Sequence, residues 1–308
     1  MPGEPGDLTG GSVPNTMTAM PIAASNGISI CYDTLGDPSD PTILLVMGLG
    51  SQLVHWPDDF CALLVDRGYH VVRFDNRDTG ESTRFDDSET PTVRAAIGGG
   101  DVTVPYLLAD MADDAVGLLD HLGVERAHVF GVSMGGMIAQ TVAIRHPERV
   151  ASLTSVMSTT GDPDVGTPSG DAMQALMAPP ATTRDDYLDT VVHHSHVWGS
   201  PGLFDEDLLR ETAGRAWDRG YNPAGTARQL LAILSSGSRS ADLAQLDVPT
   251  LVIHGTADEL VHLSGGERTA EVVPGADLLV VDGMGHDLAP PLWPQIVDAV
   301  STHTAKYP

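Results

Sequence analysis

The chain has 308 residues, 42 acidic against 16 basic, and a formal net charge of −26. Nucleic acid and anionic membrane surfaces need clustered Lys and Arg, so that balance excludes them as partners and reads as a solubility feature. A hydrophobic fraction of 42% supports a full core, for one large α/β domain with an insertion or for two small domains.

Cys31 and Cys61 are the only cysteines, too few for a disulfide framework, and no C-x-x-C metal pattern occurs. The N-terminus lacks a basic region followed by an apolar core, and no apolar run approaches the roughly 20 residues that span a bilayer. A cytoplasmic protein is the expectation.

Residues 1–26 are rich in Gly, Pro, Ser and Thr and are expected to form a flexible tail. Residues 27–33 alternate and predict a half-exposed strand. Residues 42–47 are continuously apolar, as in a buried parallel strand, and run into Gly48-Leu49-Gly50-Ser51. Residues 56–66 predict a helix and 69–74 a strand. That strand ends in the charge-dense turn Asp75-Asn76-Arg77-Asp78-Thr79-Gly80-Glu81, read as a hydrogen-bonded brace at the rim of a site. Residues 84–104 are irregular, with Gly98-Gly99-Gly100 as a flexible point. Residues 106–122 carry apolar residues at helical spacing.

A short apolar strand, 127–132, then meets Gly131-Val132-Ser133-Met134-Gly135, which fits G-x-S-x-G, the nucleophile elbow. In that turn the serine sits between strand and helix. Glycine two places before and after lets the backbones approach closely. The hydroxyl is pushed out above the sheet, and the N–H groups of the helix N-terminus point at the reacting oxygen. A helix to His146 and an apolar strand over 150–157 follow. Alternating strand and helix from 42 to 157 predicts a parallel, doubly wound sheet.

Residues 162–242 contain helix-like segments at 171–177, 184–198, 205–219 and 224–235 and no convincing strand. They read as a helical cap inserted into a core formed by 27–161 and 243–308. Met and Trp side chains in it suit packing and an apolar pocket. His193-His194-Ser195-His196 is dense in imidazole, but no Asp, Glu or Cys completes a ligand set, so no metal is expected. Strands resume at 249–254 and 278–281, with helices at 266–273 and 290–304. Asp258 follows the first of these strands and His286 the second.

The order Ser133, Asp258, His286 is that of a nucleophile, acid and base, each placed just past a strand. Asp282 and Asp287 flank the histidine and are alternative acids; Asp258 is preferred because it follows its own strand. On Val46-Met47-Gly48-Leu49-Gly50, Phe74-Asp75-Asn76-Arg77-Asp78-Thr79-Gly80, the elbow, Gly255-Thr256-Ala257-Asp258 and Gly283-Met284-Gly285-His286, residues 27–306 resemble α/β-hydrolase-fold serine esterases. They look most like the actinobacterial branch with aclacinomycin methylesterase and mycobacterial carboxylesterases. The resemblance implies an acyl-enzyme mechanism on a small-molecule ester, with no cofactor and no metal. It implies an oxyanion hole of the Leu49 and Met134 backbone N–H groups. One departure is Met47-Gly48 where many members have His-Gly, which leaves the donor but puts the loop's bracing in question. Thioesterase, perhydrolase, C–C bond hydrolase or acyltransferase chemistry would use the same triad. Haloalkane dehalogenases and epoxide hydrolases resemble the fold but place Asp at the elbow. A non-catalytic binding protein of this fold remains the reading from another class.

Overall fold

A computed structural model describes residues 20–88, 93 and 103–307. The eight strands are β1 (Ile22–Ser25), β2 (Ile28–Leu35), β3 (Thr42–Val46), β4 (His70–Phe74), β5 (Ala127–Val132), β6 (Val150–Val156), β7 (Thr250–Gly255) and β8 (Asp277–Val281). They form one sheet in the order β1-β2-β4-β3-β5-β6-β7-β8. The β1–β2 and β2–β4 pairs are antiparallel and the remaining pairs parallel.

The inner strands β3 to β7 are buried residue by residue, which is why they read as unbroken apolar runs. Both faces of the sheet are covered. Along β3, Leu44 and Val46 face α2 (Leu108–Leu122) and α3 (Met134–Arg145), where Met111, Leu118, Ile138 and Val142 complete one apolar cluster. Ile43 and Leu45 face the other way, toward Phe60 and Leu64 of α1 (Asp58–Val65) and Ile296 and Val300 of α10 (Trp293–Thr304). This two-sided cover is the doubly wound sheet expected from the alternation of elements, and it fits the α/β-hydrolase fold that the resemblance implies. Cys31 and Cys61 are buried free thiols.

The expected tail needs one correction. Ile22–Ser25 is a strand paired with β2, with Ala23 and Ser25 buried and Ile22 exposed. Four residues are too few for an alternation to stand out, and the pairing partner lies across the Asn26-Gly27 turn. Residues 1–19 of the expected tail, and the glycine run at 98–100, lie outside the described residues.

Between β6 and β7 the chain forms α4 (Gly170–Leu176), α5 (Arg184–Trp198), α6 (Glu206–Gly220) and α7 (Pro223–Ser236), then a short turn of helix, α8 (Ser240–Leu243). Ser169, Thr183, Asp205 and Asn222 each cap the N-terminus of one of the four longer helices by accepting a backbone N–H. Tyr187, Trp217 and Tyr221 pack together where α5 meets α6, Trp217 stacked on Tyr221 and Tyr187 tilted against both, with Tyr187 and Tyr221 ring centres 4.6 Å apart. The last core helix before α10 is α9 (Ser264–Val272). Among the described residues no helix is long and apolar enough to cross a membrane.

Candidate active site

Ser133 sits between the end of β5 and the start of α3 with φ 55° and ψ −122°, a conformation that side-chain-bearing residues rarely adopt. The surroundings impose it. Ser133 N–H donates to Val156 O at 2.9 Å, and Ser158 Oγ donates to Ser133 O at 2.8 Å. A Cβ on Gly131 would stand 2.1 Å from Gly135 O, and one on Gly135 would stand 2.0 Å from Val46 O. Strand and helix close to this distance only with glycine at both places.

Ser133, Asp258 and His286 meet at the carboxyl edge of the sheet. His286 Nε2 lies 2.9 Å from Ser133 Oγ, and His286 Nδ1 lies 2.8 Å from Asp258 Oδ2. Asp258 Oδ1 accepts the N–H groups of Leu260 and Val261 at 3.0 and 2.8 Å. Ala257 N–H donates to Met284 O at 2.9 Å and ties the acid's loop to the histidine's. Burial of Asp258 works to raise its pKa. The charge of His286 and the hydrogen bonds from His254 and His286 outweigh that and hold the carboxyl well below the usual range. An ionised carboxylate can only accept, so His286 carries a hydrogen on Nδ1; in the neutral tautomer that this fixes, the lone pair on Nε2 is the one that faces the serine hydroxyl. The arrangement can therefore take a proton from Ser133 as its oxygen attacks. The alternative acids are engaged elsewhere: Asp282 accepts from Thr256 and Asp287 from Ser200.

Met134 follows the serine in the chain, and Gly48, the residue before Leu49, comes so close that a Cβ on it would stand 3.3 Å from Ser133 Cβ; among the described residues neither the Leu49 nor the Met134 backbone N–H is engaged by a protein acceptor. The Met47-Gly48 loop has its own bracing. Asn76 Nδ2 donates to Met47 O at 3.0 Å, and Gly50 N–H donates to Gln229 Oε1 at 2.8 Å. Gln229 Nε2 in turn donates to Arg77 O at 2.7 Å. Met47 itself is buried in the apolar cluster with Trp56 and Phe130. The charge-dense turn after β4 thus braces this loop, as its composition leads one to expect. The roles of Gln229 and of Ser200 do not show in the sequence, because their partners are far along the chain.

The end of α5 and the residues just after it also hold the loop of His286. His286 N–H donates to Trp198 O at 2.6 Å, and Gly285 N–H to Ser200 Oγ at 2.9 Å. His194 packs on Trp198 with ring centres 4.3 Å apart, and His196 meets Phe204 edge-on. Among the described residues no group of three or more His, Cys, Asp or Glu is placed to hold a metal. A cleft of about 630 Å³ opens at the opposite, amino edge of the sheet, lined by Thr42, His70 and His128 among others, and does not reach Ser133, Asp258 or His286.

Comparison with known proteins agrees with this fold. The family described as alpha/beta hydrolase fold matches residues 41–289. The chain is 29% identical over 307 residues to the rhodomycin D methylesterase of Streptomyces peucetius, covering 92% of this chain and 97% of that one. It is 26% identical over 269 residues to 3-oxoadipate enol-lactonase 2 of Acinetobacter baylyi, covering 87% of this chain and 88% of the relative. A solved meta-cleavage product hydrolase from Pseudomonas fluorescens superposes with a TM-score of 0.73 at 21% identity, covering 93% of this chain and 97% of that one.

Proposed function

The chain belongs to the alpha/beta hydrolase fold family, and from that premise we propose that it is a carboxylic ester hydrolase working through Ser133, His286 and Asp258. The continuous relay from Ser133 Oγ to His286 to Asp258, at 2.9 and 2.8 Å, carries the reading. Ser133 attacks the ester carbonyl as His286 takes its proton. The tetrahedral oxyanion is held by the N–H groups of Leu49 and Met134, each worth about 3–4 kcal/mol in comparable sites. His286 then returns the proton to the leaving alcohol, and water cleaves the acyl-enzyme by the same steps in reverse. The helices between β6 and β7 act as a cap over the ester's apolar part.

The test is a series of p-nitrophenyl esters from acetyl to palmitoyl, run beside fluorophosphonate labelling of Ser133. Turnover that peaks at one chain length, with Ser133 labelled, is the expected result. The methylesterase among the relatives supports adding methyl esters of bulky polycyclic acids. A protein that neither labels at Ser133 nor turns over any of these esters overturns the proposal.

The pH dependence has a definite sign. A protonated His286 has no lone pair for the serine proton, so kcat/KM falls as the pH falls. Asp258 is held well below the ordinary carboxyl range, so its own protonation does not account for that fall. Initial rates between pH 5 and 8 check this; a flat profile rules out a histidine base.

A further inference from the structure

A second histidine touches the same acid. His254, the residue before the last of β7, has a fully buried side chain with Nε2 3.3 Å from Asp258 Oδ2. The same Nε2 lies 2.7 Å from Val261 O. A carbonyl oxygen only accepts, so Nε2 carries a hydrogen. His254 Nδ1 is buried with no partner, and a proton there would strand a donor out of water. The ring hydrogen therefore sits on Nε2, given to Val261 O at 2.7 Å and standing close enough to Asp258 Oδ2, at 3.3 Å, to act on its charge. Room for the ring comes from α9: a Cβ on Gly266 would stand 2.5 Å from His254 Nδ1.

We propose that His254 is a positioning residue for Asp258, a fixed donor from below the sheet edge that sets how strongly the carboxylate holds the imidazole of His286. The proposal rests on the triad reading above. Asp258 Oδ2 bonds to His286 Nδ1 and has His254 Nε2 3.3 Å away on another side, while Oδ1 is held by Leu260 and Val261. Of the other titratable groups here, Asp287 lies next to His286 with its carboxylate bonded to Ser200, and α9 presents Gly266 to the ring. Without the His254 donor the carboxylate carries more unshared negative charge toward His286. The imidazolium is then better stabilised, and the acid limb of the rate profile moves to higher pH.

His254→Phe removes the donor at similar size, His254→Gln keeps an N–H at similar reach, and His254→Asn keeps the polarity but falls short of the carboxylate. In His254→Phe, kcat/KM is expected to fall between about 10- and 100-fold, as when a reacting group is slightly misplaced. Its acid limb is expected to move up by about half a pH unit or more, as loss of one shared hydrogen bond implies. His254→Gln is expected to keep the parent's limb. A merely structural histidine would lower the yield of folded protein and leave the limb where it is. A folded His254→Phe with the parent's limb overturns the proposal. If that variant does not fold, His254→Asn against His254→Gln decides by the same limb. Ser133→Ala assayed alongside separates the two failures: if it retains the parent's rate the triad reading falls, and if it is inactive while the His254 variants match the parent only this inference falls.

Discussion

Ser133→Ala is expected to lower kcat/KM by about 10⁴-fold or more while leaving the fold intact, since removing the nucleophile of such a triad leaves only binding and the oxyanion hole. The structure separates the two effects. Ser133 Oγ meets His286 Nε2, whereas the elbow's shape depends on Ser133 N–H and O, which bond to Val156 and Ser158. Alanine keeps both backbone bonds and the same backbone strain, so the melting temperature should stay within about 2–3 °C of the parent, the shift that roughly 1 kcal/mol gives at this size. Rates on the best p-nitrophenyl ester, with circular dichroism melts, check both halves. A folded variant that keeps more than about a hundredth of the parent's rate removes Ser133 from the mechanism.

The sequence makes legible the parts of the molecule that are local or carried by strand order. Buried parallel strands read as apolar runs because both faces are covered, and the four longer helices between β6 and β7 begin where Ser169, Thr183, Asp205 and Asn222 can cap them. The candidate triad is legible because a parallel sheet delivers the ends of β5, β7 and β8 to one edge, so position after a strand implies nearness in space. What remains hidden is long-range and polar. Gln229 braces a loop 179 residues away, at Gly50. Ser200 meets the loop of His286 across 85 residues, at Gly285. No periodicity encodes such pairs. His254 is an intermediate case. A histidine closing an apolar strand four residues before an acid is visible in the sequence, but its contact with Asp258 depends on how the turn after β7 folds back. β1 is hidden for the plainest reason, its length.

The insertion is joined to the sheet domain by buried charge, and that gives the largest expected effect on stability. Arg228 of α7 and Asp78 of the turn after β4 are 2% and 0% exposed, with guanidinium nitrogens 2.8 and 2.7 Å from the two carboxylate oxygens. Tyr106 Oη donates to the same carboxylate at 2.6 Å, and Phe85 N–H at 2.8 Å. Burial works to raise the Asp78 pKa, but these donors and the Arg228 charge bring it below the ordinary value. Arg228→Met removes the cation and leaves the carboxylate buried, a loss of about 3–5 kcal/mol for comparable pairs, or roughly 6–20 °C in melting temperature at this size. Asp78→Asn combined with Arg228→Met strands no charge and keeps an acceptor for Phe85, so the double variant should be more stable than Arg228→Met alone. The pH dependence follows from the signs. In the parent, the stability due to Asp78 is present above the unfolded carboxyl pKa near ~3.9 and is lost as the pH falls through the lower folded value. In Arg228→Met, burial raises the carboxyl instead, and protonation relieves the strain, so the gap between parent and variant narrows toward acid. Gln229, the next residue, holds Gly50 and Arg77. A loosened α7 should therefore also slacken the loop that carries Leu49, and kcat should fall even at temperatures where Arg228→Met is folded. Denaturant titrations of the two variants across pH, with kcat measured at low temperature, decide it. An Arg228→Met protein that melts within 2 °C of the parent, on the size scaling of melting temperatures, would mean that the pair does not fasten the insertion.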